Sequence, residues 1–304
     1  MRRLLWRTVA AALLTAGCAA PGREAATESD VSMPLPLAGA MYFSADERTA
    51  LREAEEALVQ TCMRKRGYAY QIGPAPEMGR AAAVNPYTVL SPQRSRSDGY
   101  GLTGAVLEGP PDDSNAEMLA ALSEAKREDW QEALLGNLDD HVEISLPSGR
   151  QISYDPDSCA QAARDEVYGQ GWSELRYTVE DLSNEVIRRT LDSPDFQEVE
   201  KDWAGCMADL GYSYATLEDP RKEIQDQLAQ AEGARDRVLA VGDRELDLAR
   251  DDLTCQLSTD THQRIANVQA RTEERVRVKA GRELDLFQQA KRTALSRLPG
   301  ITNS

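Results

Sequence analysis

Residues 62–70 read CMRKRGYAY, and residues 206–214 read CMADLGYSY. Cys, Met, Gly and two Tyr recur in one register while the residues between them change. Each segment closes an amphipathic run, and each Gly stands where a helix would stop. Placing Gly67 and Gly211 at the C′ position makes Met63 and Met207 the C3 residues, and Tyr68 and Tyr212 the C″ residues. A Schellman cap folds C″ back onto C3 across a left-handed glycine, so Met63 is expected against Tyr68 and Met207 against Tyr212. In an extended exit, Tyr70 and Tyr214 point to the same side as the Tyr two residues earlier. The repeat thus reads as two helix ends of one design, with no ligand needed to explain it.

The repeated Cys lies one turn before each helix end, on the apolar stripe. Apart from Cys18, the cysteines are Cys62, Cys159, Cys206 and Cys255. The simplest pairing repeats the logic of the caps, Cys62 with Cys159 and Cys206 with Cys255. Cys62–Cys206 with Cys159–Cys255 is the alternative. The chain has no C-x-x-C, and His141 and His262 are its only histidines. A zinc site needs closely spaced Cys or His pairs, so neither a metal nor a cofactor is expected.

Upstream of the first cap, Ser44 and Glu47 form a capping box. Leu51, Ala54, Leu58 and Cys62 follow at helical spacing. Residues 71–113, rich in Pro and Gly, predict a long irregular loop. A helix is expected over 115–137, with Met118, Leu119, Leu122, Trp130, Leu134 and Leu135 on its apolar side. Residues 141–154, HVEISLPSGRQISY, alternate apolar and polar on both sides of a Pro-Ser-Gly turn, which predicts a β-hairpin. Asp155 and Pro156 supply an N-cap and a first-turn Pro for a helix that carries Cys159, Ala162, Ala163 and Val167. Another helix is expected over 174–191. Ser193-Pro194 starts the helix bearing Phe196, Val199, Trp203, Cys206, Met207 and Leu210. From Pro220 to Leu298 the pattern is helical throughout, which predicts a helical hairpin or short coiled coil. An unbroken helix would carry Cys255 too far from Cys206, so a break is expected between 233 and 243. The fold class is mainly α, with two disulfide-stapled helical modules (44–192 and 193–304), one small hairpin and a C-terminal helical hairpin.

Aromatics are 6% of the chain and mean hydropathy is −0.53, which suits charge-covered helices. Residues 1–17 hold three of the 35 basic residues and none of the 51 acids, so the remainder carries −19. A surface of that sign repels nucleic acid and anionic lipid, and no nucleic-acid partner is expected. Adjacent acids at Glu55-Glu56, Asp112-Asp113, Asp139-Asp140 and Asp251-Asp252 are what solvated helix faces produce. No G-x-S-x-G, P-loop, H-E-x-x-H or EF-hand pattern occurs, so no catalytic residue is assigned and no enzyme is expected.

The chain starts MRRLLWRTVAAALLTAGC. Three arginines precede a short apolar run, too short for the roughly 20 residues of a membrane span. The run ends in Ala16-Gly17-Cys18, which resembles the lipobox of bacterial lipoproteins. That resemblance implies cleavage after Gly17, a diacylglyceryl group on Cys18 and a lipid-anchored, extracytoplasmic location at the cell membrane. Residues 18–43 then read as a flexible tether. With its Cys-Met-x3-Gly-Tyr-x-Tyr segments, the chain resembles the exported lipoproteins common in actinobacteria. A non-catalytic structural or protein-interaction role is expected, with an envelope protein as partner. A cell-wall glycan binder or hydrolase using exposed Tyr and acids is the alternative. A solute-binding lipoprotein of a transporter ranks below both.

Overall fold

The computed structural model describes residues 33–73, 85–109, 113–137 and 141–301. Among these residues the chain forms twelve helices and one two-stranded antiparallel hairpin. In order they are α1 (Pro36–Gly39), α2 (Ala45–Lys65), α3 (Pro92–Asp98), α4 (Leu102–Glu108), α5 (Ala116–Ala120), α6 (Glu124–Leu135), β1 (Val142–Ser145), β2 (Gln151–Tyr154), α7 (Cys159–Tyr168), α8 (Trp172–Leu191), α9 (Pro194–Asp209), α10 (Asp219–Gln230), α11 (Arg235–Ser258) and α12 (Thr261–Ile301). None of the helices described is long and apolar enough to cross a membrane. The mainly helical class, the small hairpin, the C-terminal helices and both expected bridges are present.

Local chemistry sets several starts. The Ser44 hydroxyl accepts the Glu47 N–H at 3.2 Å, and the Glu47 carboxylate accepts the Ser44 N–H at 2.8 Å, completing the capping box of α2. Ser193 accepts the Phe196 N–H at the head of α9. In the hairpin, Ile144 faces Ile152 across the ladder. Its tip is held to α8 by Asp181, which accepts from the Ser148 N–H at 2.8 Å and hydroxyl at 2.7 Å, with Arg150 3.7 Å away.

Four expectations change. The helix over 115–137 is split into α5 and α6, because the Ser123 hydroxyl caps a fresh start by accepting the Lys126 N–H; Leu135 then points to solvent, 64% exposed. The helix expected from Asp155-Pro156 begins at Cys159 with Ser158 as its cap. Asp155 instead pins the preceding loop, accepting from the N–H groups of Asp157 and Asn137. The break before Cys255 falls at 231–234, where Glu232 and Gly233 take positive φ, while Gly242 and Asp243 run on inside α11. Leu210, expected on the apolar stripe of α9, is half-exposed.

The larger corrections concern segments read as irregular. Residues 33–43 fell within the tether, yet Leu37 and Ala40 are buried and Met33, Met41 and Phe43 pack against the body. Residues 85–109 fell within the long loop, yet they contain α3 and α4. They also bury Tyr87, Val89, Leu90 and Tyr100 in one core with Trp203, Met207, Ile224, Leu248 and Leu253. This segment, the strap, belongs by chain order to the first module and by packing to the core of the second. α12 binds the halves together, touching α1, α2, α7, α8, α9 and α11. Trp172 stacks between Tyr168 and Phe287 on the α8–α12 seam, at centroid distances of 4.3 and 4.8 Å.

Candidate functional site

At the first helix end, Gly67 has φ +86°, the Tyr68 N–H donates to the Met63 carbonyl at 2.9 Å, and the Gly67 N–H donates to the Arg64 carbonyl at 3.1 Å. At the second, Gly211 has φ +92°, and the Tyr212 and Gly211 N–H groups donate to the Met207 and Ala208 carbonyls at 3.0 and 2.9 Å. These are the two bonds of a Schellman cap. Met63 and Met207 are fully buried, and Tyr68 and Tyr212 pack against the clusters that hold them. A Cβ at either glycine would meet nothing within 4 Å, so conformation alone selects Gly. Gly211→Ala should therefore cost about 1–2 kcal/mol, the left-handed penalty of an L-residue, read as a lower urea midpoint with unchanged m-value. A cost near zero would mean that the cap relaxes.

Cys62 bridges Cys159 and Cys206 bridges Cys255, with Cα atoms 5.6 Å apart in both. The likeness of the two ends extends past the quoted residues. Tyr70 stacks on Trp130 at 6.0 Å and donates its hydroxyl to Glu56 at 2.8 Å. Tyr214 stacks on Trp203 at 6.4 Å and donates to Glu223. Tyr212 stacks on Tyr214 at 5.5 Å and donates to Asp251 at 2.7 Å, and Arg244 lies over its ring. Burial, followed by the bond to its acid, raises the hydroxyl pKa of both Tyr70 and Tyr214. Each therefore stays a proton donor at any physiological pH.

The densest polar site lies under the strap. Asp252 is completely buried on α11. It accepts from Trp203 Nε1 at 2.8 Å, Gln256 Nε2 at 2.9 Å and the Tyr100 hydroxyl at 3.0 Å. All three donors are neutral, so burial outweighs them and pushes its carboxyl up to about 7. Two turns earlier on the same face of α11, Glu245 accepts the N–H groups of Leu102 and Thr103, both at 2.9 Å, and so caps α4. The side-chain Oε1 of Gln256 accepts the Leu90 N–H at 2.8 Å, and the buried His262 ring bonds the Leu90 backbone carbonyl at 2.8 Å. Burial lowers the His262 pKa, favouring the neutral ring with its Nε2 proton on that carbonyl. On α12, Glu273 and Gln269 do the same for the first segment, through the Leu37 N–H and the Leu35 carbonyl.

The chain matches no protein-family model, no curated protein and no solved structure.

Sequence reasoning placed the Met, Gly and Tyr of both caps at helix ends, and each pair shares a cluster. Cys18 and the Asp139-Asp140 pair lie outside the described residues. It missed Glu245, Asp252, Gln256, His262 and Glu273. Asp251-Asp252 was read as a solvated pair, but Asp251 serves Tyr212 and Asp252 is buried. Glu55-Glu56 likewise accept the hydroxyls of Tyr168 and Tyr70. The available signal was spacing: 245, 249, 252 and 256 fall three or four apart, on one helical face, beside Leu248 and Leu253.

Proposed function

We propose that this chain is an exported cell-envelope protein of non-catalytic, protein-interaction type, cut after Gly17 and held by lipid on Cys18 at the outer face of the membrane. The observation that carries the reading is the pair of bridges, Cys62–Cys159 and Cys206–Cys255. Disulfides persist in oxidising compartments and are rare in the cytosol of mesophiles. A lipobox-like run ahead of a body stapled in this way fits export followed by tethering.

The use made of the acids and aromatics supports an interaction body over a wall hydrolase or glycan binder. A glycosidase needs two carboxylates flanking a cleft. Here Glu55, Glu56, Asp251 and Asp252 receive tyrosine hydroxyls, and the one with the strongly raised pKa, Asp252, is sealed under the strap. Tyr70, Tyr212 and Tyr214 stack against protein rings. A solute-binding role would call for two lobes built on extensive sheets, and the described residues hold one small hairpin.

Cys18→Ala should move the protein from the membrane pellet to the soluble fraction and abolish metabolic labelling with a radioactive fatty acid. Labelling at the wild-type level would refute the anchor. Maleimide labelling of denatured, unreduced protein should detect no free thiol among the other four cysteines; four reactive thiols in freshly lysed cells would refute export.

A further inference from the structure

An open groove of about 520 Å³ runs between the α7–α8 corner and the last turns of α12. That size falls within the range of small-ligand sites. Between its ends Leu175, Leu286 and Ala290 alternate with the uncharged polar residues Thr178, Gln289 and Thr293, and Leu286 is half-exposed. The charges that line it are Glu174, Glu283 and Arg297. Arg297 lies beside the 169–171 turn, its Nη1 3.9 Å from where a Cβ on Gly169 would sit. Among the described residues none of the three makes an ion pair. The groove thus presents an acid and a guanidinium at opposite ends of a mixed floor, each without a counter-ion among the described residues.

Glu283 and Arg297 are fourteen residues apart on one helix, about 21 Å along its axis. An extended peptide advances about 3.3 Å per residue, so about six residues bridge them. The planar guanidinium matches a carboxylate with two parallel hydrogen bonds, whereas the glutamates attract a lysine or arginine. We propose that this groove binds an extended peptide of about six residues, with a basic residue at its start, small or aliphatic residues in its middle and a free C-terminal carboxylate on Arg297. The inference rests on the protein-interaction reading, but the two fail separately. Membrane release of Cys18→Ala reads the anchor, and peptide titration reads the groove.

The test is calorimetric titration of the detergent-solubilised full chain with the hexapeptide Lys-Ala-Leu-Ala-Ala-Ala, as the free acid and as the C-terminal amide. The free acid should bind, and the amide should bind about tenfold more weakly, as expected for loss of one charge-assisted contact. Arg297→Ala should erase the difference between acid and amide, and Glu283→Lys should weaken both about tenfold. Circular dichroism should show both variants folded like the wild type, since Arg297 is exposed and Glu283 is part-exposed outside the core. Absence of heat from the free acid at millimolar concentration, or an acid-to-amide ratio that survives Arg297→Ala, would overturn the proposal.

Discussion

Replacing Cys62 and Cys159 together by alanine should lower the unfolding free energy by about 4–5 kcal/mol. The bridge closes a separation of 97 residues, and the chain-entropy model assigns about 4.7 kcal/mol to a loop of that order. The second bridge closes 49 residues, about half as many. Halving a loop reduces its closure entropy by about 0.6 kcal/mol, so the Cys206–Cys255 double variant should lose about 4 kcal/mol. The ranking is as informative as the size, because both bridges join the last turn of a capped helix to a neighbouring helix. Urea unfolding of the two double variants and the wild type, analysed for midpoint and m-value, gives both numbers. A loss under 1 kcal/mol for the wider bridge would show that the denatured chain keeps the two helix ends together without it.

Asp252→Asn should change the pH dependence of stability by up to about 4 kcal/mol. In the folded protein burial lifts the Asp252 carboxyl from 3.8 to about 7. Across that interval the folded state holds a proton that the unfolded chain has released. Stability from this group is therefore fully present below about pH 4 and is lost as pH rises through about 7. Three units correspond to about 4 kcal/mol. Other carboxylates slope the opposite way, so the measured quantity is the difference between variant and wild type at each pH. Asparagine keeps an oxygen for Trp203 and Gln256, and Tyr100 can turn its hydroxyl to accept from the new amide. The variant should gain on the wild type from pH 4 to pH 8 and run parallel to it above that. A difference that stays flat across this range would mean that Asp252 is matched by charge or water under the strap, and that its ionisation there is not costly.

The two helix ends were legible because a C-terminal cap is local. Met63, Gly67 and Tyr68 lie within six residues, and the hydrogen-bond pattern forces their relation. The hairpin was legible for the same reason, its alternation and turn occupying one short run. The strap was not. Tyr87, Val89 and Leu90 form a run too short to show a period, among prolines and glycines that signal loops. What holds them is polar: Glu245, Asp252 and Gln256 bond backbone or side-chain groups more than 140 residues earlier in the chain. A sequence pattern scores acids and amides as solvent-facing, so a buried polar stripe that binds another segment's backbone looks like an exposed one. Residues 33–43 were misread in the same way, because their anchors Gln269 and Glu273 lie far along the chain. The groove was invisible too, since it depends on how α8 and α12 are laid side by side.

The strap sits inside the stretch enclosed by one bridge, residues 62–159, yet its anchors stand on α11, which carries half of the other bridge. Leu90 precedes Gln256 by 166 residues. A chain that emerges amino end first therefore presents Tyr87, Val89 and Leu90 to solvent long before their hosts arrive. Closing Cys62–Cys159 early would shorten the search by fixing both ends of the wandering stretch, but it cannot supply Asp252 or Trp203. Completion has to wait for the carboxyl-terminal helices. A product cut short near residue 240 would retain a first bridge and still display a sticky, unmet run of side chains.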